Sequence, residues 1–178
     1  MLISWTISRP RLGAAGLSHD PRGSALTYLD TSALIKRFVA ERGSASVARL
    51  TRPGASVGTA TIAYAETYSG LTRRHRNGNL SAIDYASACE QFERDWSGYV
   101  RIRLDEDVLA AARLVIQRHA LRGFDGIHLA SALTLQNRWD ETVVVVAADQ
   151  RLLRAASTEG LATLDVETGV ARRRARRR

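Results

Sequence analysis

The chain has 178 residues, 45% hydrophobic and 25% charged, the balance of an ordinary one-domain globular protein rather than a disordered or fibrous one. No stretch approaches the roughly 18 to 20 apolar residues that cross a bilayer, and one cysteine (Cys89) with four scattered histidines excludes a disulfide framework and a zinc site of the multi-cysteine or HExxH type. The formal charge of +8 sits at the ends: residues 1–25 hold three arginines and one acid, residues 171–178 hold six arginines, and the span between holds 17 bases and 17 acids, so bulk charge gives the body no nucleic-acid footprint.

Residues 1–25 carry Pro10, Gly13, Gly16, Pro21 and Gly23 without an apolar period, which reads as a flexible leader. Its apolar run, 2–8, precedes its arginines, the reverse of a signal peptide, so a reducing cytoplasm is the expected location and no membrane association is expected. Lysine occurs once against 25 arginines and Met1 is the only methionine. Such usage accompanies GC-rich genomes with non-ATG starts, and the expectation is a native start near Leu26, the leader being a misassigned start.

From Leu26 onward, strand-like and helical runs alternate, the pattern of an α/β domain with a mostly parallel sheet. Strands are expected at 26–29, 55–57, 100–104, 143–147 and 162–166, the valine run Val143 to Val146 suiting a strand covered on both faces. Helices are expected at 32–38, 45–50, 61–74, 81–96, 125–137 and 151–156. Another follows the third strand, where Val108, Ala111, Ala112, Val115 and His119 form a one-sided stripe. The domain is expected to span 26–168, with 169–178 an arginine-rich tail.

In open parallel sheets the ligand crevice lies outside the carboxyl ends of the strands. Asp30 directly follows the first strand and Asp149 follows the valine strand. Asp125 opens a helix with Leu129, Ala132 and Leu133 on its own side, so its carboxylate is expected to face inward. Glu66 shares a helix face with Ile62, Ala63, Ser69 and Gly70, where a glutamate calls for a cationic partner from elsewhere. Capping would account for any one of the aspartates, since each precedes a helix and an Asp N-cap is worth ~1 kcal/mol. Together they imply more: carboxylates about 4 Å apart at an effective dielectric of ~20 repel by roughly 4 kcal/mol per pair. A shared cleft therefore takes up protons or cations, and hard oxygen ligands suit Mg²⁺ or Mn²⁺ with substrate phosphate.

The stretches Tyr28-Leu29-Asp30-Thr31-Ser32-Ala33-Leu34-Ile35-Lys36, Ala63-Tyr64-Ala65-Glu66, Leu121-Arg122-Gly123-Phe124-Asp125-Gly126-Ile127-His128-Leu129-Ala130 and Val146-Ala147-Ala148-Asp149-Gln150-Arg151-Leu152, with 36, 59 and 24 residues between successive acids, resemble PIN-domain ribonucleases, specifically VapC-type toxins of bacterial type II toxin–antitoxin systems. The resemblance spans about 26–166. It implies a three-layer α/β fold with a central, mostly parallel sheet of about five strands flanked by helices. It also implies a Mg²⁺- or Mn²⁺-dependent endoribonuclease with catalytic acids Asp30, Glu66, Asp125 and Asp149, of which Asp30 and Asp125 are the metal ligands. A cognate antitoxin and a homodimer follow from the same resemblance. Two positions depart from the family pattern: Ala147-Ala148 stand where a Thr often precedes the last acid, and Gly126 stands where Ala is common.

Hydrolysis by metal-activated water would leave a 3′-hydroxyl and a 5′-phosphate without a protein nucleophile. Thr31 and Ser32 either position water or phosphate beside the pocket or bond within the first helical turn. Because four carboxylates repel RNA, the candidates for its grip are Lys36, Arg37, Arg73, Arg74 and Arg76, the last three being otherwise a solvated helix end, while the tail either makes sequence-independent phosphate contacts or is a disordered extension. A haloacid-dehalogenase-type phosphatase needs a second Asp where Ser32 stands, and a nucleotide-binding module needs a glycine-rich loop that Asp30-Thr31-Ser32-Ala33-Leu34 lacks. The remaining alternative is a degenerate PIN domain that binds RNA or protein without catalysis; four retained acids favour the enzyme.

Overall fold

The first strand, β1 (Leu26–Leu29), is buried along its whole length, and its side chains alternate between two cores in the two-residue period of a pleated strand. Leu26 and Tyr28 join one apolar cluster and Leu29 the other. The computed structural model describes residues 25–139 and 142–172. Within them β1 is followed by a short helix α1 (Thr31–Leu34), a 3₁₀ turn at Ile35–Arg37, and helix α2 (Ser44–Leu50). Strand β2 (Val57–Ala60) leads to α3 (Ala63–Arg76) and α4 (Ala82–Trp96), and β3 (Val100–Ile102) to α5 (Glu106–His119) and α6 (Gly123–Arg138). Strand β4 (Val143–Ala147), helix α7 (Gln150–Thr158), strand β5 (Ala162–Asp165) and a two-residue strand β6 (Ala171–Arg172) complete the order.

The strands lie side by side as β3-β2-β1-β4-β5-β6, parallel except for the antiparallel β5–β6 pair. Each parallel connection carries at least one helix, as a crossover between parallel neighbours requires. On β4, Val143, Val145 and Ala147 join the cluster that contains Leu129 of α6 and Val108, Ala112 and Val115 of α5. Val146 joins the opposite cluster, with Leu34, Val47, Ala63 and Phe92. Both faces are covered, which gives the three-layer α/β architecture expected from the sequence. No helix among the described residues is long and apolar enough to cross a membrane.

Three departures from the expected elements bear on the fold, beside shifts of one or two residues at other ends. The helix expected at 32–38 splits into α1 and a 3₁₀ turn, because its first turn is held by the Asp30 cap and tightens at Ile35. The second strand lies at Val57–Ala60 rather than 55–57: its Gly58, Thr59 and Ala60 are fully enclosed but small, and the Thr59 hydroxyl is satisfied by donating to the Leu29 carbonyl at 2.7 Å. Strand β6 occupies the start of the span read as tail, pairing Leu164 with Ala171 through the backbone while its own side chains stay exposed. Residues 1–24 and 173–178, which contain nearly all of the leader and the rest of the tail, lie outside the described residues.

Candidate active site

The sheet order reverses between β1 and β4, neighbours paired Leu29 to Val146, and the crevice at such a switch point is where open α/β sheets bind ligands. Asp30 leaves β1 on this edge and Asp149 leaves β4 beside it. Ser32 joins the two segments: its hydroxyl donates to Asp30 Oδ1 at 2.8 Å and accepts the Ala148 N–H at 2.8 Å. Asp30 Oδ1 also accepts the Ala33 N–H at 3.0 Å, capping α1, while Oδ2 has no hydrogen bond among the described residues. The residue is 4% exposed. Burial, opposed by the nearby His128 and by the bonds from Ala33 and Ser32, leaves its carboxyl above the ordinary carboxylate range.

Glu66, in the first turn of α3, meets a histidine rather than an arginine. Its Oε2 accepts the Thr31 hydroxyl at 2.6 Å and lies 2.9 Å from His128 Nε2. His128, itself 3% exposed, places Nδ1 3.0 Å from the hydroxyl of buried Tyr28. Nε2–H donates to Glu66, Thr31 donates to the same carboxylate oxygen, and Nδ1 faces the Tyr28 hydroxyl. Burial pushes Glu66 up, but the bonds from His128 and Thr31 outweigh it and hold the carboxyl below its ordinary value. Close packing makes this approach possible, since a Cβ on Gly70 would overlap Cδ1 of Ile35.

Asp125 does not cap its helix. Helix α6 begins at Gly123 after Arg122, so Asp125 is its third residue and its carboxylate makes no hydrogen bond among the described residues. Burial and the neighbouring Asp149 carboxylate raise it, Arg122 and His128 draw it back, Glu66 adds to the rise, and the net value is above the ordinary range. Asp149 does act as a cap, its Oδ1 accepting the Arg151 and Leu152 N–H groups at 2.7 and 3.1 Å. Glu66 and Asp125 line one depression of about 340 Å³ with Arg122, Gly123 and Phe124. A larger depression of about 470 Å³ beneath the β5–β6 hairpin holds no such chemistry. There Asp165 is consumed by Gln150, Thr168 and two backbone N–H groups.

The four acids thus come from four segments to one edge of the sheet, with His128 perturbing Asp30, Glu66 and Asp125 alike. Their donors are carboxylate oxygens, several of them free of hydrogen bonds among the described residues, and this hard set fits Mg²⁺ or Mn²⁺. No group of three or more His, Cys, Asp and Glu side chains among the described residues is arranged to hold an ion as it stands. Mg²⁺ does not require one, since it keeps several waters and takes one or two carboxylates.

The expected RNA contacts divide. Lys36 is corrected: it is 6% exposed, with its ammonium 2.8 Å from Glu167 and 3.1 Å from Glu41, so it serves an internal ion pair and presents no charge to a polyanion. Arg37 pairs with Asp95 at 3.2 Å and Arg74 with Glu41 at 2.9 Å. Arg73 and Arg76 remain exposed at the end of α3. His128 was not among the residues expected at the site. Its signal was the i, i+3 spacing from Asp125, which puts both on one face of a helix. Arg122 and Phe124 also went unassigned, though both flank Asp125 in the chain.

Fold and site together define a parallel α/β domain with an acidic crevice at its switch point. The sequence pattern described as PIN domain matches residues 27–158. Over 135 residues the chain is 33% identical to Ribonuclease VapC45 of Mycobacterium tuberculosis, covering 76% of this chain and 92% of that protein. Among solved structures, FitAcB from Neisseria gonorrhoeae aligns with a TM-score of 0.58 at 19% identity, over 79% of this chain and 97% of its own. VapBC2 from Rickettsia felis, solved with a DNA fragment from its promoter, aligns with a TM-score of 0.54 at 13% identity, over 79% and 98%. The chain belongs to the PIN-domain family, among its VapC-type ribonucleases.

Proposed function

We propose that this chain is a Mg²⁺- or Mn²⁺-dependent endoribonuclease, the toxin of a toxin–antitoxin pair, acting through Asp30, Glu66, Asp125 and Asp149. The reading rests on one observation above others: Asp125 lies in the first turn of a helix with no hydrogen bond among the described residues, raised by burial and by the carboxylates of Asp149 and Glu66. An acid kept so close to its like charges is poised for a cation. When bound, a divalent cation supplies charge neutralisation and the activation of water for phosphodiester hydrolysis.

The chain's own residues prepare that chemistry. Asp30 and Asp125 would hold the ion, Asp30 with one oxygen fixed by Ser32 and the Ala33 N–H and the other left over. Thr31 and His128 hold Oε2 of Glu66, which leaves Oε1 to orient water or complete the acidic pocket. Asp149 adds its charge beside Asp125. The products would be a 3′-hydroxyl and a 5′-phosphate. In the cell the enzyme would act in the cytoplasm as a homodimer, its cleft covered by a cognate antitoxin until release.

Incubation with total RNA, with Mg²⁺ and with chelator, tests this. We expect metal-dependent cleavage that falls roughly 100-fold or more in Asp30→Asn and in Asp125→Asn, the loss of several kcal/mol of transition-state stabilisation, with both variants folded. Equal cleavage by the variants would assign the activity to a contaminating nuclease and overturn the proposal. RNA binding without cleavage would favour the degenerate, non-catalytic alternative.

A further inference from the structure

The chain has three phenylalanines. Phe92 is fully buried and Phe38 packs edge-on against it, with ring centroids 5.4 Å apart. Phe124 is 58% exposed, and no aromatic ring is stacked on it among the described residues. A solitary exposed apolar side chain is ordinary on a protein surface, so exposure alone says little. Its setting says more, because Phe124 immediately precedes Asp125 and lines the same depression as Asp125 and Glu66.

Arg122 lines that depression too. It is exposed, it makes no hydrogen bond or ion pair among the described residues, and its side chain does not cap α6. Gly123 between them has open space where a Cβ would project, so nothing crowds the approach. A bare ring, a guanidinium whose charge acts on Asp125 without a hydrogen bond among the described residues, and the carboxylates of Glu66 and Asp125 therefore line one rim. A ring offers its face to a nucleobase, and a guanidinium offers its donors to a phosphate. In a duplex both faces of a base are already stacked, so only an unpaired nucleotide can use Phe124 in this way.

We propose that Phe124 is a stacking platform for an unpaired nucleobase next to the scissile phosphate, and that Arg122 takes an adjoining phosphate. This rests on the ribonuclease reading given above. Phe124 is then a specificity-determining residue of the same site, in contact with substrate but not with the reacting bond.

The test uses a short RNA copied from the strongest cut mapped in total RNA, with 2-aminopurine replacing the base on either side of the cut. Cleavage is measured with the parent chain, and 2-aminopurine quenching, which reports ring stacking, is measured on the Asp30→Asn background so that the RNA stays whole. We expect Phe124→Leu to abolish the quench and to lower kcat/KM roughly 5- to 150-fold, the range of base–aromatic stacking. Phe124→Tyr and Phe124→Trp should retain both. Arg122→Gln should weaken binding and flatten the slope of log K against log salt by about 0.7, one phosphate contact on a single strand. The same RNA annealed to its complement should resist cleavage.

Unchanged kcat/KM and quench in Phe124→Leu, or equal cutting of the duplex, would overturn the inference while leaving the ribonuclease reading intact. A Phe124→Leu defect confined to binding of a protein partner would also overturn it, assigning the ring to that partner. Absence of any metal-dependent cleavage by the parent chain would instead remove the ribonuclease reading, and this inference with it.

Discussion

Asp30 divides its carboxylate between two tasks, Oδ1 capping α1 and accepting from Ser32 while Oδ2 is left for the crevice. Burial raises its carboxyl, and for an acid the sign is fixed: the stabilising contribution is complete below the unfolded value of about 3.9 and is lost as pH climbs through the higher folded value. At neutral pH without divalent cation, ionised Asp30 is therefore a net destabiliser. Asparagine caps a helix as well as aspartate does, so Asp30→Asn should raise Tm at pH 7 by about 2 to 4 °C, the response of a chain of this size to ~1 kcal/mol. Thermal scans should show that gain shrinking as pH is lowered toward 4. If Asp30 acts as proposed, its removal stabilising the fold is the usual trade between activity and stability. At this scale Asp30 and Asp149 were legible because each directly follows a strand, and Glu66 and Asp125 because each lies in the first turn of a helix. Glu66's partner was not, since His128 is 62 residues away and nothing local marks it as the group that meets a glutamate.

Among the elements, α5 and α6 come into close contact at Gly126. A Cβ there would overlap Cγ1 of Ile116 and stand 2.6 Å from its Cδ1. Gly126→Ala should therefore destabilise by about 1 to 3 kcal/mol through overpacking, although alanine in a helix interior is ordinarily favoured over glycine by ~1 kcal/mol. Denaturant titration should show the loss largely recovered in Gly126→Ala/Ile116→Ala, a coupling that additive effects would not give. The isoleucine and the missing methyl group are thus alternative fillings of one space. Strands with an apolar run, β1 and β4, were readable at their true limits. Strand β2 was displaced because Gly58, Thr59 and Ala60 offer no apolar period, and its place is set by hydrogen bonding and by Leu26 and Leu135, whose side chains would lie 3.1 and 3.0 Å from a Cβ on Gly58.

In the whole molecule, strand order decides whether the acids meet, and no local pattern encodes it. Alternating strands and helices announced a parallel sheet, but the placement of β4 beside β1 rather than beyond β3 is a property of long-range packing. Strand β6 escaped notice for a different reason: it pairs through its backbone and lies next to an arginine run, so its composition argued against a strand. The segment linking β5 to β6 returns to the 3₁₀ turn after α1, where Glu167 accepts from Lys36, and to Arg42, whose Nε donates to the Glu167 carbonyl at 3.0 Å. Burial would lower the Lys36 amine, but Glu167 and Glu41 prevail and raise it. Because Lys36 is the chain's sole lysine, amine-acylating labels should leave it untouched in the native fold. Its modification then becomes a clock for the peeling of the carboxy-terminal hairpin from the 3₁₀ turn that follows the first helix, readable by mass spectrometry against a background free of other lysines.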